Sequence, residues 1–199
     1  MNQVRSSLGR GPRAAGALES LRRATTDMVD CLAALVGCES PSADVEAVAR
    51  CGDVVADLGQ DLLGAPPERV EAAGRTHLRW QFGGAGRIGI IGHFDTVWPI
   101  GTLGRWPFAV ADGAATGPGA FDMKAGIVQL LYGLSTLETL DGVVVVLTAD
   151  EEIGSPTSRR LIEASLSDAE AALVAEPSAD GALKTGRKGV SLYQLVVHG

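Results

Sequence analysis

The stretch VVVVLTADEE, residues 143–152, decides the fold. Four valines and a leucine in unbroken succession suit a strand buried on both faces, and the polar cluster that follows at once marks its carboxyl end. Two other stretches repeat the form: IGIIGHFDT at 88–96 and ALVAEPS at 172–178. Between the first two runs, Ile127, Leu130, Leu131, Leu134 and Leu137 fall at helical spacing. Between the second and third, a helix is expected from about Pro156 to Leu166, with Leu161, Ile162 and Leu166 turned inward. Buried strands alternating with helices indicate an α/β layered fold with a mostly parallel central sheet.

Upstream, Leu18, Leu21, Met28, Leu32 and Leu35 recur at three- and four-residue steps, predicting one amphipathic helix with Cys31 and Cys38 beside its apolar stripe. CESPSAD at 38–44 breaks it. A second helix carries Val45, Val48, Val55, Leu58 and Leu62 inward and ends near Gly64-Ala-Pro-Pro. Residues 68–82 alternate weakly and suit two short strands or a hairpin, in which His77 reads as a half-exposed strand residue. At the far end, residues 190–197 alternate as a strand without a partner, which suggests an incomplete chain or the start of a second domain.

Composition narrows the function classes. The chain has 199 residues and a net charge of -7, with 46% apolar residues, enough to build a core. Residues 1–23 hold five arginines against Glu19, so the acidic excess lies in the remainder, which argues against nucleic acid as a main partner. No apolar run approaches the ~20 residues that span a bilayer, and none at the N-terminus resembles a secretory signal. Three cysteines (Cys31, Cys38, Cys51) with no CxxC pair suit a reduced, cytoplasmic compartment.

The functional crevice of an open α/β sheet lies beyond the carboxyl ends of its strands. Here those ends deliver His93 and Asp95, then Asp150, Glu151 and Glu152, then Glu176. A Gly-rich loop, GPGAFDMK, adds Asp122 at a helix start. Asp122 alone reads as a helix cap and Glu176 alone as a solvated loop acid. Gathered together, so many carboxylates would raise one another's pKa, and a divalent metal resolves the repulsion. One histidine among carboxylates suits zinc, manganese or cobalt better than calcium. Residues i and i+2 of a strand share a side, so Asp95 can hold the far nitrogen of His93. Of the adjacent pair Glu151-Glu152, one ligates metal while its neighbour accepts a proton from water. A magnesium phosphohydrolase also gathers acids at strand ends, but His93 and the lack of a GxxxxGK[ST] loop count against it.

GHFDTVWP, GPGAFDMKAG, TADEEIGS and AEPS occur in the order and approximate spacing of the co-catalytic zinc metallopeptidases that include acetylornithine deacetylase, succinyl-diaminopimelate desuccinylase, aminoacylase and glutamate carboxypeptidase. The chain resembles this family over residues 17–199, most of all its glutamate carboxypeptidase branch. The resemblance implies a three-layer catalytic domain over 17–187, left incomplete. It follows a flexible arm at 1–16 and precedes the first strand of a lid/dimerisation domain at 188–199, cut short. It implies two Zn2+ ions, with Co2+ or Mn2+ as substitutes: His93 and Glu176 on one, Glu152 on the other, Asp122 bridging both, and a cis peptide after Asp122. Asp95 would orient His93, and Glu151 would be the general base for a metal-bridging water.

The implied reaction is hydrolysis of an amide or peptide bond next to a carboxylate, on a small-molecule substrate such as an N-acyl amino acid, by a homodimer joined through its lid. The family's second histidine ligand comes after the lid, and His198 reads as an ordinary strand-end residue instead. Arg187 and Lys188 read as a solvated face rather than a grip on the substrate. The chain alone is therefore expected to hold about one zinc without useful turnover. The alternative is a catalytically incompetent fragment that acts as a metal- or partner-binding module.

Overall fold

The computed structural model describes residues 12–178, 181–186, 189 and 193–197. Three helices lead: α1 (Pro12–Arg23), α2 (Thr25–Gly37) and α3 (Val45–Leu63). Asp44 caps α3, its side chain accepting from the Ala47 N–H at 2.9 Å, and Gly64 closes it at φ 75°. A hairpin follows, β1 (Glu68–Ala72) and β2 (Arg75–Gln81), then β3 (Ile88–His93). A second, small hairpin joins β4 (Ala109–Ala111) to β5 (Ala114–Thr116). Its Asp112-Gly113 turn has φ of 51° and 76°, the left-handed pair such hairpins need. The chain then runs through a tight turn at Ala120–Lys124 into α4 (Ala125–Ser135), β6 (Val143–Thr148), α5 (Arg159–Ser165) and β7 (Ala171–Val174).

The five-stranded sheet has the order β1-β2-β6-β3-β7. Its three strands from the apolar runs are mutually parallel, and β1-β2 adds an antiparallel edge against β6. Every residue of β6 is buried. Val143, Val145 and Leu147 join the main core with Leu35, Val48, Val55, Ile127 and Leu131 from α2, α3 and α4. On the opposite face, a Cβ at Gly89 would collide with Leu166 just past α5. Helices thus cover both faces, as the layered reading requires. No helix among the described residues is long and apolar enough to cross a membrane.

Several expectations need correction. The first helix is two, broken at Ala24, whose ψ of 3° leaves the helical range. Residues 12–16 belong to α1 rather than to a flexible arm. The third apolar run is an exposed edge strand rather than a doubly covered one, with Leu173 and Val174 open to solvent. Leu137 lies past the end of α4 and is exposed. His77 is fully buried rather than half-exposed. Residues 193–197 form no strand, and Arg187, Lys188 and His198 lie outside the described residues.

Candidate metal centre

Register builds the site. In the parallel pairing His93 stands opposite Thr148 and Ile91 opposite Val174. One more step of the ladder, the Ala175 N–H donating to the Ile91 carbonyl at 3.0 Å, brings Glu176 level with His93. The sheet therefore delivers its histidine and its acids to a single edge.

His93 is buried and oriented from behind. Its backbone N–H donates to Met123 Sδ at 3.1 Å. Its Nδ1 lies 3.0 Å from the Asp95 carbonyl oxygen and 3.4 Å from Asp95 Oδ1. A carbonyl only accepts, so Nδ1 carries the proton and Nε2 faces the acids. Nε2 lies 3.2 Å from Asp122 Oδ1, 3.4 Å from Glu176 Oε1 and 3.9 Å from Glu151 Oε2.

Asp95 does more than orient the imidazole. It is buried, accepts from Ser42 Oγ at 2.6 Å, and takes the backbone N–H groups of Glu151 at 3.1 Å and Glu152 at 3.3 Å. It thereby anchors the 3-10 turn Glu151–Ile153. Sequence reasoning missed this second task, and it missed the brace from 38–44. There Ser40 Oγ donates to the Phe94 carbonyl at 2.6 Å. The Thr96 N–H donates to the Ser40 carbonyl at 2.8 Å, and the Ser42 N–H to the Thr96 carbonyl at 3.0 Å.

Asp122 sits in the turn 120–124, with an extended φ of -116° and a cis peptide to Met123. The left-handed φ of 70° at Gly119 lets the chain turn close against Thr96, where a Cβ would come within 2.6 Å of Thr96 Cγ2. Lys124 is buried and donates through Nζ to the carbonyls of Leu35 and Cys38, both at 2.8 Å, which pins the turn to α2.

Two sets of ligand atoms lie within 4.8 Å of one another: His93, Glu151 and Glu176, and His93, Asp122 and Glu152. Asp122, Glu151, Glu152 and Glu176 thus gather around His93, while Asp150 turns away to Thr157 and Ser158. The sets share His93, whereas the resemblance makes Asp122 the shared ligand. Burial opposes a charge on His93, but hydrogen bonds to Asp95 and Glu176 and the charges of Asp95 and Glu151 push its pKa up to about 11. Burial also raises Glu151 and Glu152 above the usual carboxylate range, helped by neighbouring acids and opposed by His93. The cluster calls for positive charge, and a neutral imidazole with surrounding carboxylates is a donor set that fits zinc. These acids open onto a cleft of about 800 Å³ that Phe121 and Lys184 also line.

The sequence profile of peptidase family M20/M25/M40 matches residues 89–190. The chain is 32% identical over 196 residues to carboxypeptidase G2 of Pseudomonas sp. strain RS-16, covering 90% of this chain and 47% of that protein. It is 35% identical over 123 residues to acetylornithine deacetylase of Myxococcus xanthus, covering 58% of this chain and 31% of that one. In fold it is similar to the M20 family metallo-carboxypeptidase Sso-CP2 from Sulfolobus solfataricus, with a TM-score of 0.62 and 20% identity over 74% of this chain and 36% of that one. Human carnosine dipeptidase 1 gives a TM-score of 0.64 and 20% identity over 79% of this chain and 40% of that one. The chain therefore spans half or less of the length of these relatives. With its profile match covering 102 of 199 residues, the chain belongs to peptidase family M20/M25/M40.

Proposed function

We propose that this chain carries the metal-binding core of a zinc-dependent hydrolase that cleaves an amide or peptide bond next to a carboxylate. One observation carries the reading: His93 Nε2 lies within 3.9 Å of carboxylates from three separate segments, Asp122, Glu151 and Glu176. Zinc held by His93, Asp122, Glu152 and Glu176 would polarise the scissile carbonyl and acidify an attacking water. Asp95 keeps the His93 proton on Nδ1 and leaves Nε2 free to ligate. It also holds the backbone N–H groups of Glu151 and Glu152. Glu151 takes the proton of the attacking water and passes it to the departing amine. Carboxypeptidase G2 and acetylornithine deacetylase support peptides or N-acyl amino acids as the substrate class.

The test is zinc uptake by the 199-residue chain, measured after gel filtration, with His93→Ala as control. The chain should retain zinc and the variant should lose it. Whatever hydrolysis the zinc-loaded chain shows should fall on N-acyl amino acids rather than on p-nitrophenyl phosphate. A chain that takes up no zinc, or that prefers the phosphate ester, would sink the proposal.

A further inference from the structure

Arg75 and His77 stand two residues apart on β2 and reach the same residue beyond the end of β6. Arg75 Nη1 donates to the Ala149 carbonyl at 3.0 Å, and the Ala149 N–H donates to His77 Nδ1 at 3.2 Å. The paired register of β2 and β6 runs from Gln81 opposite Val144 to Leu78 opposite Leu147. Past it, side chains continue the ladder that the backbone gives up.

Because Nδ1 accepts, the proton of a neutral His77 sits on Nε2, 2.9 Å from Thr157 Oγ1. The Thr157 hydroxyl in turn donates to Asp150 Oδ2 at 2.7 Å. The same oxygen accepts the N–H groups of Thr157 at 2.7 Å and Ser158 at 3.2 Å. Hydrogen bonds thus run in one direction, from Ala149 through the imidazole and Thr157 to Asp150. They close a loop around the segment that contains Glu151 and Glu152. His77 and Asp150 are both buried, where an interrupted chain of polar groups is costly.

We propose that His77, as the neutral Nε2–H tautomer, is a positioning residue that sets Glu151 and Glu152 through Thr157 and Asp150. Burial lowers the pKa of His77 against the pull of Asp150, which keeps the ring neutral and the direction of the bonds unchanged. His77 ligates nothing in this arrangement, since both its nitrogens are engaged. The zinc readout of this proposal rests on the metal-centre reading, while its spectroscopic readouts do not.

Two substitutions separate the halves of the imidazole. His77→Asn keeps an acceptor near Nδ1 and loses the Nε2 donor, whereas His77→Gln keeps a donor near Nε2. Thr157→Val breaks the relay with little change of shape. Long-range 1H–15N spectra of the 199-residue chain should show the Nε2–H tautomer. His77→Asn and Thr157→Val should each shift the Glu151 and Glu152 amide resonances and weaken zinc binding about tenfold, in line with losses at groups that support ligands. His77→Gln should keep most of that affinity. An Nδ1–H tautomer in the parent chain, unmoved Glu151 and Glu152 amides, or unchanged zinc affinity in His77→Asn would overturn the proposal. Equal losses in His77→Asn and His77→Gln would reduce His77 to core packing and overturn it too. If the parent chain takes up no zinc, the metal-centre reading fails, and the tautomer and amide shifts still decide the relay.

Discussion

Asp95 shows how much one side chain can carry. Its carboxylate accepts from Ser42 and from two consecutive backbone N–H groups while facing His93. Asp95→Ala would leave those donors unpaired in a buried place. It should cost about 3 kcal/mol, with unsatisfied partners at about 1–3 kcal/mol each and only partial relief from water. Urea denaturation of the metal-free chain measures this. Glu151 and Glu152 pose the sharper question, because Glu151 Oε2 lies within 3.9 Å of His93 Nε2 and competes geometrically for the role of ligand. As general base, Glu151→Gln should keep zinc and lose roughly 10²–10⁴-fold of whatever kcat the parent shows. Glu152→Gln should release zinc. Zinc lost from Glu151→Gln and kept by Glu152→Gln would exchange the two roles.

At the scale of elements, close approach between α4 and β7 decides where Glu176 stands. A Cβ at Gly126 would lie 1.9 Å from the Ala175 carbonyl oxygen, whereas Gly133, two turns later in the same helix, meets nothing within 4 Å. Gly126→Ala should therefore destabilise by about 1–3 kcal/mol and weaken zinc binding by pushing Glu176 away. Gly133→Ala should stabilise by about 0.5–1 kcal/mol, since alanine costs less entropy in a helix. Thermal melts and zinc titrations of the pair check both signs. The same elements show what periodicity can and cannot say. The β3 and β6 runs, the helix around Ile127 and the close at Gly64 were legible because each rests on local chemistry. The exposure of β7 was not: an apolar run reads alike in a central strand and at an edge, and only sheet order separates them. The Asp112-Gly113 dipeptide signalled a hairpin that the reading passed over. His77 and the serines at 40 and 42 gave no sequence signal. Their partners, at 149, 157, 94, 95 and 96, are distant in the chain and meet only once the sheet has formed.

For the whole molecule, the acid cluster ties folding stability to pH and to metal. In the metal-free chain the surrounding carboxylates hold the His93 pKa up at about 11 from an ordinary 6.5. A raised pKa means that the folded state keeps a proton the unfolded state has released. That contribution is fully present below the unfolded value and drains away as pH rises toward the folded one. The raised Glu151 and Glu152 lean the same way. The EDTA-treated chain should accordingly melt at a lower temperature at pH 9 than at pH 6. Zinc reverses the trend, because it takes the place of the His93 proton and binds more tightly as protons become scarce. Stabilisation by a ligand at a hundred times its Kd is about 2.7 kcal/mol, so the rise in Tm on adding a fixed excess of zinc should be larger at pH 9 than at pH 6. Binding should also release protons, seen as a calorimetric enthalpy that changes with the ionisation heat of the buffer. A metal-free chain that melts higher at pH 9, or a zinc effect that shrinks with rising pH, would mean that the acids around His93 do not hold its proton and that the cluster is not poised for a cation.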